Sequence, residues 1–396
     1  MKKRRRIGIL TGGGDVPGLN SVIKSVVYRG WENGVGVVGI RKGFEGLTHL
    51  DLDDPASRAR YVMDLNRENT LTIDRTGGTI LHSSRVGPSK VRNLPAHLVG
   101  RTFPSSQGKG GLTHDLTAHV LENLERLGID SLIAIGGDGT LKSAAQLERL
   151  GVKVMGIPKT MDNDVQSTEY CVGFSTAITR ATAAIDRQRT TVGSHERVGI
   201  FRVFGRDAGF TALYTAHVTS NRCVIPEYPV DLDKLVDLLV TEKRGNPSNY
   251  VLVILSEGAT WKGYEPQEYG RPDALGRRKK VSVAEMLSEE IQTRTGEETI
   301  VSDLTYDLRS GDPDFLDKLV ASTFGTMALD ALLDGTHGQM SAVVNGCYEL
   351  VPIPDPALGP RKVDVATMYN TDRYRPLYGN KRHWPIFLTR VPPPSG

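Results

Sequence analysis

Cysteine is scarce in this sequence. Its three copies in 396 residues, Cys171, Cys223 and Cys347, lie far apart and show no C-x-x-C spacing. That excludes a disulfide framework and a thiolate metal site, and it fits a reducing, cytoplasmic setting. Long apolar runs are missing too: no stretch reaches the roughly 18 residues that a membrane-spanning helix needs. The opening MKKRRR resembles the basic start of a signal peptide, but only residues 7–10 supply an apolar core before TGGGD interrupts it, so export is not expected. Lys2 to Arg6 is expected to be a solvated charge cluster rather than a nucleic-acid patch. Net charge is nearly absent as well, since 49 basic and 46 acidic residues leave only +3. A general field for nucleic acid is therefore excluded, and any anion binding must be local. Solenoid repeats and low-complexity segments are also lacking.

What is present is a normal globular composition, 39% hydrophobic and 24% charged. The length predicts two lobes of roughly 150 to 200 residues each. Short apolar runs at residues 7–10, 37–40, 132–135, 152–157, 198–203 and 251–255 have the character of buried parallel strands. Between them lie helical patterns at residues 19–32, 176–189 and 313–333. In LTAHVLENLERLG, Leu116, Val120, Leu124 and Leu127 fall at helical spacing and Gly128 supplies a stop. The alternation predicts an α/β protein with parallel sheets. Residues 261–280, rich in glycine, proline and charge, read as a surface insertion.

Three turns after strands carry the chemistry. ILTGGGDVPGLN places Gly12, Gly13 and Gly14 ahead of a helix expected to begin near Pro17 or Gly18; small residues admit a phosphate close to the backbone, and a helix start offers it unpaired N–H groups. The segment does not match G-x-G-x-x-G and lacks the GK[ST] of a P-loop. In IAIGGDGTLKSA, Gly136, Gly137 and Gly139 again clear space, Asp138 is placed to hold Mg²⁺ directly or through water, and Thr140 is suited to cap the next helix or touch a phosphate. The third is GIPKTMDNDV, residues 156–165, where Lys159, Thr160, Asp162 and Asp164 crowd one turn. Phosphoryl transfer to a hydroxyl needs a carboxylate base and cations around the moving group, whereas a D-N-D standing alone reads rather as an Asx-turn with solvated acids. Downstream, Arg206, Glu227, Glu257 and Arg309 follow further apolar runs. In open α/β sheets the carboxyl ends of strands are where ligands bind.

Taken together, TGGGDVPGLN, GGDGT, PKTMDND, FGRDAG, IPE and RSG occur in an order and spacing that resembles the 6-phosphofructokinase superfamily, including its pyrophosphate-dependent members, over residues 7 to about 333. The resemblance implies two Rossmann-like lobes, discontinuous in the chain. Residues 1–173 and about 309–375 would bind the donor phosphates, and about 174–308 and 376–396 the sugar phosphate. It implies Asp162 as catalytic base with Thr160 and Arg206 beside it, Arg206 stabilising the transferring phosphoryl group. Gly14, Arg85, Gly137, Asp138, Gly139 and Thr140 would take the nucleotide, with Mg²⁺ at Asp138. Asp164, Arg197, Phe204, Gly205, Glu227, Tyr306 and Arg309 would take the sugar phosphate. Arg197 resembles an arginine that reaches a neighbouring subunit's site, which implies a homodimer or homotetramer.

Two positions that set the donor in this family disagree here. Gly139 leaves room for the α-phosphate of ATP, where pyrophosphate users carry an aspartate, while Lys159 is the residue of pyrophosphate users. Absence of a steric and charge block outweighs the lysine, so ATP is the expected donor, fructose 6-phosphate the expected acceptor and its 1-hydroxyl the expected site of phosphorylation. Ile300 stands where the family usually has a basic residue, Phe204 where methionine is common and Tyr306 where many bacterial enzymes have histidine, which leaves another sugar phosphate as an alternative acceptor. Pyrophosphate dependence, a lipid or NAD kinase sharing GGDGT, and a non-catalytic metabolite sensor are the competing readings.

Overall fold

The computed structural model describes residues 5–108, 111–270, 279–379 and 381–388. Its larger sheet has seven strands in the order Cys347–Pro352, Gln339–Val344, Lys153–Pro158, Ser131–Gly136, Arg6–Thr11, Gly36–Ile40, Val62–Leu65. The five central strands are parallel and the two edge strands antiparallel. Strand Ser131–Gly136 is buried at every position, as its continuous apolar run predicts. Helices Leu19–Glu32 and Phe315–Leu333 pack together on one face, while Thr117–Leu127 and Asp138–Arg149 cover the other through Val120, Leu124, Ala144 and Leu147. From Arg6–Thr11 the chain runs outward to Gly36–Ile40, then returns to pair Ser131–Gly136 on the opposite side. That reversal opens a crevice at the carboxyl ends of the two strands.

The smaller sheet is wholly parallel, in the order Thr299–Asp303, Val198–Val203, Val251–Ser256, Arg222–Val224. Helix Phe174–Ser194 leads into it and Phe315–Leu333 leads back. The chain then crosses once more. Tyr369 Oη donates to the Cys223 carbonyl at 2.7 Å, and the Cys223 N–H donates to the Tyr374 carbonyl at 2.9 Å. The last lobe boundary, expected near 375, falls within this third crossing, and we propose it earlier, ahead of Val363. Residues 380 and 389–396 lie outside the described part of that segment.

Several details differ from what the sequence pattern predicts. The helix after the first glycine turn begins at Leu19, and the helices expected over 176–189 and 313–333 span Phe174–Ser194 and Phe315–Leu333. Arg5 and Arg6 are not merely solvated: Arg6 pairs with Asp64 at 2.7 Å and donates to the Leu127 carbonyl, and Arg5 donates to the Leu332 carbonyl. Lys2 to Arg4 lie outside the described residues. The segment read as an insertion starts from the buried Trp261, whose ring meets Tyr264 edge-on at 4.6 Å; residues 271–278 lie outside the described set. Among the described residues no helix is long and apolar enough to cross a membrane.

Candidate active site

The three chemistry-bearing turns follow three neighbouring parallel strands, Arg6–Thr11, Ser131–Gly136 and Lys153–Pro158, so the sheet delivers them to one edge. Their backbones interlock. The Lys159 N–H donates to the Gly136 carbonyl at 3.1 Å, and Lys159 Nζ donates to the Gly14 carbonyl at 2.6 Å. Gly13 has φ +83, so the glycine is needed for conformation, and a Cβ there would crowd Lys159 Nζ at 3.1 Å. Burial pushes the Lys159 ammonium down to about 8, with Arg309 and Arg85 adding to the fall and Asp15 opposing it.

A cavity of about 560 Å³ opens over this edge, walled by the glycine turn, Arg85, Asp138, Gly139 and Lys159, and extending to Phe44, Lys90, Lys142 and Gln146. A Cβ on Gly139 would meet nothing within 4 Å. Asp138 opens the helix Asp138–Arg149 after Gly137, which occupies the N-cap position. Desolvation, then the charges of Asp164 and Asp207, push the Asp138 carboxyl up to about 6. Thr140 does not cap the helix. Its side chain fills the space over Gly12 and Gly136, where added Cβ atoms would fall 2.3 and 2.4 Å from its atoms.

The PKTMDND turn is held from several directions. Asn163 sits at φ +54, a left-handed conformation that asparagine tolerates, with its amide donating to the Glu169 carbonyl and accepting from the Cys171 N–H. Buried Arg361 donates to the Asn163 carbonyl at 2.6 Å through Nη2 and to the Asp164 carbonyl through its backbone N–H, and stacks on Phe210. Thr211 donates to the Met161 carbonyl. The sequence alone gave no sign of Arg361 or Thr211, since they lie 198 and 50 residues from their partners. Held this way, Asp162 faces the second sheet. Burial pushes its carboxyl up to about 7, with Asp164 and Glu257 adding to the rise, while the Arg206 charge and backbone N–H oppose it. Asp164 is raised as well, chiefly by burial, with a Thr160 hydrogen bond opposing.

Residues beyond the carboxyl ends of the smaller sheet complete the cleft. Gly205 has φ +120 and a Cβ there would clash with the Ala208 carbonyl at 2.4 Å, so a glycine is required just before Arg206. Arg206 is exposed and pairs with Glu257 at 3.1 Å. Phe204 is half-buried and packs against the core. Glu227 lies three residues past its strand, not at its end. Its Oε1 accepts from Gly209 and Val363, both at 2.9 Å, while Oε2 is buried without a partner among the described residues. Arg309 lies over the exposed Tyr306 ring, 3.5 Å from Asp15 and against Gly14. Arg197 stands apart, at the opposite end of strand Val198–Val203, paired with Glu298 at 2.6 Å.

Asp138 suits a hard cation with oxygen ligands, and Asp164 and Asp207 leave local negative charge for it to offset. Among the described residues no three acidic, histidine or cysteine side chains converge as a metal cage. That donor set fits Mg²⁺ held by one carboxylate together with donor phosphates and water.

A family model for phosphofructokinase matches residues 6–332. The chain is 36% identical over 353 residues to an ATP-dependent 6-phosphofructokinase of Streptomyces coelicolor, covering 88% of this chain and 94% of that one. It is 37% identical over 341 residues to a pyrophosphate–fructose 6-phosphate 1-phosphotransferase of Amycolatopsis methanolica, covering 85% and 90%. In fold it is similar to a pyrophosphate-dependent phosphofructokinase structure from Nitrosospira multiformis, with TM-score 0.75, 15% identity and coverage of 99% and 94%. With the matched motifs gathered on facing strand ends, the chain belongs to the phosphofructokinase family and is an enzyme of it.

Proposed function

We propose that this enzyme transfers the γ-phosphoryl group of ATP to the 1-hydroxyl of fructose 6-phosphate. The observation that carries the donor assignment is the 560 Å³ cavity with its open wall at Gly139, within the range of small-molecule and cofactor sites and far larger than pyrophosphate requires. An aspartate at Gly139 would extend into that space and bring a like charge to a donor phosphate.

In this reading the glycine turn and the start of helix Asp138–Arg149 hold the phosphates by backbone N–H groups, with Arg85 and Lys159 countering their charge. Asp162 accepts the proton of the acceptor hydroxyl as the new O–P bond forms and the bond to the ADP oxygen breaks; its position near Arg206 places base and phosphoryl-stabilising cation together. Asp138 would hold Mg²⁺, which when bound would supply charge neutralisation to the donor. Glu227 offers its unpaired Oε2 to sugar hydroxyls and Arg309 its guanidinium to the acceptor's phosphate. Arg197 faces away from its own chain's cleft, which supports an oligomer in which it serves a neighbour. Ile300 is half-buried against the core and contributes no cation.

Lys159 and the Amycolatopsis relative favour a second reading, in which pyrophosphate is the donor. Fructose 1,6-bisphosphate formation by the purified protein with Mg²⁺, compared between ATP and pyrophosphate, tests both. Faster turnover with ATP is expected. Faster turnover with pyrophosphate overturns the steric argument, and sugar-phosphate binding without turnover on either donor overturns the kinase reading in favour of a sensor.

A further inference from the structure

A second cavity of about 460 Å³ lies beside the first, sharing Gly13, Gly14, Ser84 and Arg85 with it and adding Asp15, His82 and Arg309. Two cations and the glycine turn give it the character of an anion site. His82 is unusual there. It adopts φ +55, a left-handed conformation that histidine, like asparagine and aspartate, enters more readily than most residues, and the surrounding structure fixes it. Three neighbouring bonds do so. Its N–H donates to the Thr79 carbonyl, its own carbonyl accepts from Thr11 Oγ1 at 2.8 Å, and Ser83 Oγ ties the next residue to the Gly13 carbonyl at 2.6 Å.

The side chain is fixed as well. Arg41 Nη2 lies 2.6 Å from His82 Nε2. A guanidinium can only donate, so Nε2 accepts and the ring proton sits on Nδ1. That leaves one N–H donor on an exposed ring lining an anion cavity. We propose that His82 is a phosphate-binding residue, donating its Nδ1–H to a phosphoryl oxygen in the cavity between the glycine turn and Arg309, with Arg41 as the positioning residue that sets its tautomer. The inference rests on the phosphoryl-transfer reading above. The oxygen belongs either to the donor's terminal phosphate or to the acceptor's phosphate, and the two are separable by kinetics.

The test compares His82→Gly, which accepts the left-handed backbone but removes the donor, with His82→Asn, which tolerates the same backbone and restores an N–H. Donor and acceptor are each varied at saturation of the other, and a thermal melt confirms that both variants fold. His82→Gly is expected to raise one KM by about 10-fold or more, the weight of a hydrogen bond to a charged group, with kcat within about 2-fold. His82→Asn is expected to recover most of the loss. Whichever KM rises identifies the phosphate. Unchanged KM values in His82→Gly, or an equal rise in His82→Asn, overturn the proposal. A parent protein that turns over neither donor instead overturns the kinase reading, and retained binding of inorganic phosphate by titration, weakened by His82→Gly, then still supports the site.

Discussion

Asp162 combines a functional demand with a cost in stability. Its carboxyl, raised to about 7 chiefly by burial, is held well above the usual aspartate range. A raised acid favours the fold most fully below its unfolded value, near pH 4, and that contribution is lost as the pH rises through 7. In the proposed mechanism activity runs the other way, because Asp162 as base must be ionised, so kcat/KM should rise with pH through a limb near 7. Asp162→Asn is expected to lower kcat by about 100 to 10,000-fold and to remove that limb. At pH 8, where the parent carries a buried charge, the variant should melt higher by about 1 to 4 °C. A variant that keeps parental turnover, or that melts lower at pH 8, sinks the assignment. Residue types and order marked Asp162 and Asp164 together as candidate bases, because the chemistry needs a carboxylate after a strand, and only the family resemblance singled out Asp162. Its environment was not legible. Besides burial, Glu257 and the Arg206 N–H, which adjust its proton affinity, lie beyond strands of the other sheet.

Three strand-to-turn elements meet at the cleft, and their fit depends on one side chain. Thr140 packs over both Gly12 and Gly136, so a methyl group at either position overpacks the crevice, typically costing about 1–3 kcal/mol. The geometry separates the two. At Gly12 the close contact is with Thr140 Oγ1 at 2.3 Å and Cβ is 3.2 Å away, whereas at Gly136 both Oγ1 and Cβ lie at 2.4 Å, and Cβ remains in an alanine. Thr140→Ala should therefore restore most of the melting temperature lost in Gly12→Ala and little of that lost in Gly136→Ala. Equal rescue of both by a double-mutant cycle would contradict this packing. Sequence reasoning expected a cap or phosphate contact from Thr140, which local spacing suggests. What it lacked was the lateral pairing of the strands, since Gly12 and Gly136 become neighbours only across the sheet. The same limit hid Arg361, whose grip on the PKTMDND turn spans 198 residues.

At the scale of the whole molecule, alternating apolar runs made the parallel sheets legible because buried strands read as continuous hydrophobic stretches. The antiparallel edges Val62–Leu65 and Cys347–Pro352 were not, since both mix polar residues into half-exposed strands. The third crossing of the chain was implied only by the family resemblance, which set it near 375. The position of Arg197 raises the remaining question of assembly. It sits at the amino end of a six-residue strand whose carboxyl end leads to Arg206, about 20 Å away at the usual rise per residue, too far to serve its own cleft. If a neighbouring copy receives it, each site takes Asp162 from one chain and Arg197 from another. Arg197→Ala and Asp162→Asn should then each be nearly inactive alone, the first through a raised acceptor KM and the second through kcat. Mixing the two, unfolding and refolding them together, should regenerate about a quarter of parental activity in a two-fold dimer, because half the dimers are mixed and each mixed dimer holds one intact site. Activity of the mixture no greater than the sum of its parts would mean that Arg197 serves only its ion pair with Glu298, and that each cleft is complete within one chain.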